Sequence, residues 1–203
     1  MNNTLDLQKY VARAMNYSTY KALLVDLFEQ GKTTGPEQTE DRLTHSKLNM
    51  ARINRIETTI QLNTDLVHAI KAIQKPLVIL AITEGWCGDS AQNVPLFSKF
   101  DGINTNVKTK YVLRDENLPL IDAYLTNGAR AIPKVIFINE NNEEVGVWGA
   151  RPKACQEVME EMKKKNATKP EKEAAIHAWY AKDKTQSLQH EITAILLAIA
   201  SKE

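Results

Sequence analysis

Cysteine is scarce in this chain: its 203 residues include only Cys87 and Cys155. Two cysteines cannot build a disulfide framework, although they can form one bridge, and their scarcity predicts a reducing, cytoplasmic location. An excess of one charge is also absent, with 26 basic and 25 acidic residues. This balance argues against a nucleic-acid partner or an anionic membrane surface.

Long apolar runs and a leader-like start are also missing. The most apolar helical stretch, residues 192–200, is too short to cross a bilayer. The first residues, 1–6, contain neither the basic nor the apolar region of a secretory signal. We therefore expect a chain that neither enters a membrane nor is exported.

Hydrophobic spacing divides the chain into three parts. Residues 1–63 are predicted to be a helical extension packed on the core, with one amphipathic stretch from Leu5 to Phe28 and a second helix opened by Pro36. Residues 64–166 form the central domain. Residues 167–203 are predicted to be a second helical extension, which either packs back on the domain or forms a homodimer contact.

The central part alternates between strand and helix. Strands are predicted at 77–83, 107–113, 134–139 and 145–148, and helices at about 90–100 and 118–126. An asparagine-rich turn joins the last two strands as a hairpin. Pro152 is predicted to open a closing helix that carries Cys155. The fold class is therefore α/β, with a mixed sheet of about four strands.

The segment Trp86-Cys87-Gly88-Asp89-Ser90 lies between the first strand and the first helix of this central part. At such a junction, free backbone N–H groups and the helix dipole favour a thiolate. We therefore predict an exposed, nucleophilic Cys87, the alternative being a buried and inert small residue. Asp89 would oppose thiolate formation by its charge. Arg130, Lys134 and Arg151 would counter Asp89 if the fold brought them close.

This motif, together with Ile132-Pro133 before a later strand, resembles the thioredoxin superfamily, and most of all bacterial thioredoxin-like proteins with a Trp-Cys-x-Asp motif. The resemblance implies a thioredoxin-like fold, with Cys87 as the attacking thiol and Pro133 in the cis form facing it. The superfamily pattern is usually Cys-x-x-Cys. Ser90 replaces the second cysteine, as in monothiol glutaredoxins, so a mixed disulfide needs an external resolving thiol such as glutathione.

Seven residues make up the predicted site. Cys87 and Ser90 are the expected catalytic residues, with Ser90 able to hydrogen-bond to the Cys87 thiolate or to act only as a polar helix-start residue. The expected substrate-binding residues are Trp86, Gly88, Asp89, Ile132 and Pro133. Ile132 would offer its backbone to an extended peptide at an exposed edge.

Two functions remain open from the sequence. The first is a thiol–disulfide oxidoreductase acting through Cys87 on a protein or small-molecule disulfide, with no organic cofactor. The second is a redox-inactive binding module for a peptide or protein partner. Cys155 is expected to be a buried residue facing the sheet, with a regulatory pair to Cys87 as the alternative. The four scattered histidines show no ligand spacing, so no metal site is expected.

Overall fold

The computed structural model describes residues 5–203, so the first four residues of the predicted N-terminal extension lie outside the described part. The sheet has four strands: β1 (Leu77–Thr83), β2 (Val107–Leu113), β3 (Lys134–Ile138) and β4 (Glu144–Gly149). Their order is β2-β1-β3-β4, with β1 parallel to β2 and the other pairs antiparallel. The predicted mixed, four-stranded α/β fold is confirmed.

Helices surround this sheet before, within and after its strands. In the described residues they are α1 (Leu7–Arg13), α2 (Tyr17–Glu29), α3 (Glu40–Thr59), α4 (Thr64–Ala72), α5 (Gly88–Phe97), α6 (Leu118–Asp122), α7 (Lys153–Lys164), α8 (Lys169–Asp183) and α9 (Gln186–Ala200). None of them is long and apolar enough to cross a membrane.

The one amphipathic stretch predicted from Leu5 to Phe28 forms two helices in the structure, α1 and α2. Between them Met15 exchanges two backbone hydrogen bonds of 2.9 Å with Tyr111 of β2, which satisfies polar groups on the sheet edge. The side chain of Asn16 then caps α2 by accepting from the Thr19 N–H. Pro36 also does not open α3, which begins well after it, with Thr39 as its cap.

The C-terminal stretch is likewise two helices. A capping box between Thr168 and Glu171 starts α8. Lys184 and Thr185 end it in the left-handed region, with φ of 50° and 69°, and α9 follows at once. The helix α9 packs on α4, whereas α8 packs on α7.

The sheet divides the core into two apolar layers because successive strand residues point to opposite faces. On one face, Ile79 and Phe137 pack with residues of α2, α3, α4, α5 and α9. On the other face, Leu80 and Ile136 pack with α1 and α6. The helix α3 lies against α5. Tyr180 of α8 donates a hydrogen bond to Asp89 in the first turn of α5, so helices from both ends of the chain reach the start of α5, where the motif lies.

Candidate functional site

Cys87 lies between the end of β1 and the start of α5, at the N-cap position of that helix. Its Sγ accepts a hydrogen bond of 3.4 Å from the Ser90 backbone N–H. The thiol donates to the Ile132 carbonyl, with Sγ and O separated by 3.3 Å. The Ile132–Pro133 bond is cis, as the resemblance predicted. The motif and the proline loop therefore meet at the cysteine sulfur.

The prediction that Cys87 is exposed and thiolate-prone is wrong in this structure. Only 9% of the residue is exposed. Burial, followed by the charge of Asp89, raises the Cys87 pKa to about 11, although hydrogen bonds from Ser90 and Asp89 act in the opposite direction. Desolvation outweighs the helix start because Cys87 belongs to the apolar cluster that also contains Leu7, Tyr10 and Ile132. At neutral pH the group is a thiol.

Asp89 occupies the first turn of α5 and is held by a guanidinium. Arg151 Nε lies 2.9 Å from Oδ1, and its Nη2 lies 2.7 Å from Oδ2. The Tyr180 hydroxyl donates to Oδ1 at 2.9 Å, and Asn93 in turn donates to that hydroxyl. Burial raises the Asp89 pKa, and Arg151 opposes this shift. Burial of this carboxylate is therefore compensated by a fork-like ion pair.

Of the three cations that the sequence suggested near Asp89, only Arg151 reaches it. Arg130 instead forms an ion pair of 2.6 Å with Asp122 at the surface. Lys134 donates to the Thr126 hydroxyl at 2.7 Å. Arg130 and Lys134 are close in sequence to Pro133, but their side chains bind residues of the loop before it and of α6.

Ser90 contributes through its backbone, which donates to the cysteine sulfur. Its side-chain Oγ is buried and makes no hydrogen bond to the described residues 5–203. A buried hydroxyl without a partner can rotate its proton toward a newly formed charge. The predicted catalytic role of Ser90 stays a prediction.

Trp86 lies between two guanidinium groups, with Arg42 4.3 Å and Arg114 4.6 Å from its ring centre. This arrangement is a double cation–π contact. Its indole Nε1 is buried and unpaired within the described part of the chain. Arg42 comes from α3, so the N-terminal extension positions the residue next to the cysteine. No pattern in the sequence indicates this contact.

The edge expected for peptide binding is not open. Ile132 is 5% exposed, and Pro133 is buried as well. The Ile132 carbonyl already accepts the Cys87 thiol. A bound peptide strand requires exposed backbone groups at this point. The expected exposed edge at Ile132 is therefore wrong.

A cavity of about 300 Å³ opens instead between the motif and the two helical extensions. Its lining comes from the motif, from α3, from the loop before α7, and from α7 and α8: Trp86, Cys87, Gly88, Asp89, Asp41, Arg42, His45, Arg151, Met159, Lys169, Glu173, Ile176 and His177. This volume is at the lower end of the range for small-molecule sites. Four of the seven predicted site residues border it, whereas Ser90, Ile132 and Pro133 do not.

One ion pair and one histidine–carboxylate contact connect the two extensions at this cavity. Lys169 of α8 lies 3.0 Å from the Asp41 carboxylate of α3. His45 of α3 lies 3.4 Å from the Glu173 carboxylate of α8. These residues are 128 positions apart in each pair, so no local sequence pattern could reveal them.

His177 is a further residue of this site, although its isolated position in the sequence carries no signal. Its ring stands over Gly88, where the Cβ of any larger residue would lie 3.0 Å from Cε1. Burial, followed by the nearby charge of Arg52, lowers the His177 pKa to about 4. The imidazole is therefore neutral at pH 7, and its buried Nδ1 has no partner among residues 5–203.

Cys155 is fully buried and lies in a cluster with Ile176 and Tyr180 of α8. The expected burial is thus confirmed, but the expected orientation toward the sheet is wrong, because the described residues of this cluster all belong to α7 and α8. Burial raises its pKa to about 12. Both cysteines are free thiols, and Cys155 does not line the cavity.

A four-stranded mixed sheet, a cysteine capping the helix after β1, and a cis-proline facing that cysteine define a thioredoxin-like protein with one thiol in its motif. The sequence profile of the thioredoxin family, described as "Thioredoxin", matches residues 35–163. The chain therefore belongs to the thioredoxin family.

Comparison of folds agrees with this assignment. A Pseudomonas aeruginosa protein of unknown function is similar with a TM-score of 0.63 and 16% identity, over 98% of this chain and 100% of the other. An HIV epitope scaffold is similar with a TM-score of 0.55 and 16% identity, over 90% and 98% of the two chains. At this identity the likeness concerns the fold alone. No functionally curated protein matches the sequence.

Proposed function

We propose that this thioredoxin-family chain is a monothiol exchange protein that acts on a small disulfide bound in the cavity beside Cys87. The observation that carries the proposal is the position of Cys87 at the cavity wall, at the N-cap of α5. The Ser90 N–H already donates to Sγ and would stabilise a thiolate formed there. The substrate class and the reaction are both parts of this proposal.

Atoms and electrons balance without a resident cofactor. Cys87 first loses its proton to solvent, and its thiolate attacks one sulfur of the bound disulfide. A Cys87–substrate disulfide forms, and the other half leaves as a thiolate. An external thiolate then attacks the substrate sulfur of this mixed disulfide, which restores Cys87. Because position 90 is serine and Cys155 does not line the cavity, the second thiol must come from outside.

The raised pKa of Cys87 limits reaction with molecules that do not bind. With a pKa of about 11, only about one molecule in 10,000 is a thiolate at pH 7. This fraction is about 100-fold below that of a thiol with a pKa of 9. A more basic thiolate is also more nucleophilic, which recovers about a factor of ten in rate. Cys87 is thus roughly tenfold slower than an ordinary thiol before access is considered.

Binding in the cavity can more than offset this deficit. Holding a disulfide against the attacking sulfur gives effective molarities of about 10⁵ M or more in well-oriented systems. The lining offers both signs of charge, including Arg42, Lys169 and Glu173. This mixture suits a small zwitterionic disulfide, and the buried Ile132 and Pro133 argue against an extended protein substrate.

Intact-mass spectrometry after incubation with cystine or glutathione disulfide tests this proposal. We expect one mixed disulfide, located on Cys87 by peptide mapping and absent in Cys87→Ser. Met159→Trp, which narrows the cavity, should slow adduct formation about tenfold or more, whereas the exposed α7 control Lys163→Trp should leave it unchanged. No adduct on Cys87 with either disulfide, or equal rates in both tryptophan variants, would refute the proposal.

A second candidate is a redox-inactive binding module that uses the same cavity. The hydrogen bond from the Cys87 thiol to the Ile132 carbonyl favours it, because this bond exists only in the protonated form. In that case Cys87→Ala would retain binding of the disulfide, measured by isothermal titration calorimetry, while the wild-type protein would form no adduct.

A further inference from the structure

A second and larger cavity, of about 480 Å³, lies at the end of α3, beside α5 and the junction between α8 and α9. Tyr180 borders it, and the hydroxyl of the same tyrosine donates to Asp89 of the first cavity. The two linings share no residue. Its volume falls within the range of small-molecule sites, and nothing in the proposed exchange reaction uses it.

The charge of this lining has one sign. Arg55 and Lys184 border the cavity, and no aspartate or glutamate of the described residues does. In the Cys87 cavity, by contrast, Arg151 and Lys169 each pair with a carboxylate. Two cations without a carboxylate in the lining favour an anionic ligand. Lys184 also has a left-handed backbone, with φ of 50°, a conformation that costs free energy in a non-glycine residue.

Gln92 adds a buried polar group to this wall. Only 4% of the residue is exposed, and its Oε1 accepts a hydrogen bond of 3.3 Å from Arg55 Nη2. Its Nε2 is not one of the fully enclosed polar atoms of residues 5–203 that lack a partner, so this donor faces the solvent of the cavity. Because Gln92 lines the cavity, a ligand acceptor there would complete its hydrogen bonding.

The rest of the wall includes apolar surface. Ile56, Ile60, Ala181 and the ring of Tyr180 line the same space. A fully hydrated inorganic ion would leave this surface without a partner, whereas an organic anion would cover it. The arrangement therefore selects for a molecule with an acidic group at one end and an aromatic or aliphatic body at the other.

We propose that the cavity bounded by Arg55, Gln92, Tyr180 and Lys184 is a second ligand site, which takes a small organic anion with an apolar body. The acidic group lies between Arg55 and Lys184 and accepts from Gln92 Nε2. The body lies against the isoleucines of α3. The site is independent of Cys87, so it stands whether or not the exchange reaction does.

The probe is 8-anilinonaphthalene-1-sulfonate, whose fluorescence rises on binding to apolar surface. We expect saturable binding with one probe per chain to the wild-type protein. Arg55→Gln and Lys184→Gln should each raise the dissociation constant about fivefold or more, because each removes a charge-assisted contact. N-phenyl-1-naphthylamine, which lacks the sulfonate, should bind more weakly by a similar factor.

Matched controls locate the probe. Lys182→Gln changes a lysine two positions away on α8, outside the lining, and should leave the dissociation constant unchanged. Lys169→Gln changes the Cys87 cavity and should also have no effect. The proposal fails if wild-type protein shows no saturable binding, if the neutral probe binds equally tightly, or if Lys169→Gln alone weakens it. Circular dichroism checks that each variant is folded. If Arg55→Gln misfolds, the test rests on Lys184→Gln, which changes an exposed residue.

Discussion

Alkylation of Cys87 across pH tests the central electrostatic argument. The thiol is 9% exposed and its pKa is raised to about 11, chiefly by burial and then by the charge of Asp89. The thiolate fraction at pH 7 is therefore about 10⁻⁴, and it grows tenfold with each pH unit up to about pH 10. The alkylation rate should follow the same line, because the thiolate is the nucleophile.

The assay uses iodoacetamide with N-acetylcysteine in the same tube as a reference thiol. Peptide mass spectrometry separates Cys87 from Cys155, so no substitution in the core is needed. At pH 7 the Cys87 rate should lie roughly tenfold or more below the reference. That figure assumes a reference thiol with a pKa of about 9. Relative to it, the thiolate fraction of Cys87 is about 100-fold smaller, and the Cys87 thiolate is about tenfold more nucleophilic. Steric protection by the helices adds to the difference.

One result would refute this reasoning: a Cys87 rate that levels off below about pH 9. Such a plateau would mean that the helix start and the Ser90 N–H outweigh desolvation. The tryptic peptide of Cys155 serves as an internal control. Its residue is fully buried with a pKa of about 12, so its rate should remain below that of Cys87 throughout.

Three further predictions concern the contacts around the motif. Asp89→Asn removes the charge that raises the Cys87 pKa, so the alkylation rate at pH 8 should increase. Tyr180→Phe deletes a hydroxyl that donates to this buried carboxylate at 2.9 Å and should lower the free energy of unfolding by about 2 kcal/mol in urea titrations. Gly149→Ala should destabilise the fold by more than about 3 kcal/mol, because its Cβ would collide with the Pro133 carbonyl oxygen at a φ of 129°.

Each of these three has its own contradicting result. An unchanged or slower rate in Asp89→Asn would mean that Arg151 already cancels the field of the carboxylate at the sulfur. A Tyr180→Phe protein as stable as wild type would mean that the Asn93 and Asp89 groups find water instead. Gly31 has a φ of 67° but nothing within 4 Å of a Cβ, so Gly31→Ala is the matched control. Equal losses at positions 31 and 149 would show that backbone conformation alone is responsible.

The sheet could be predicted from the sequence because its signals are local. The bounds of β1 and β2 are as predicted. β1 is an almost wholly apolar run of seven residues, and β2 places Val107, Tyr111, Val112 and Leu113 around a short polar stretch. Helix breaks were harder to predict. Met15 interrupts an apolar spacing that continues from α1 into α2, and only its pairing with Tyr111 of the sheet edge fixes the break. Lys184 and Thr185 end α8 without the usual glycine.

The state of Cys87 could not be predicted, because it depends on residues far away in the chain. The motif itself favours a thiolate, because the Ser90 backbone N–H donates a hydrogen bond to the cysteine sulfur. The opposing effect is burial in the apolar cluster that brings Leu7, Tyr10 and Ile132 together with Cys87. Local structure alone would lower the pKa of Cys87, and burial by the rest of the fold raises it instead.

This reversal has a consequence for selectivity. An exposed, low-pKa thiol reacts with any accessible disulfide, and its specificity must come from the partner surface. A thiol held at a high pKa beside a cavity of about 300 Å³ reacts appreciably only with molecules that fit, because proximity must compensate for the missing thiolate. If Cys87 carries out the proposed exchange, the helical extensions that line the cavity would select its substrate. Exchanging the motif Ser90 for cysteine would then change how the mixed disulfide is resolved without widening the range of disulfides that react.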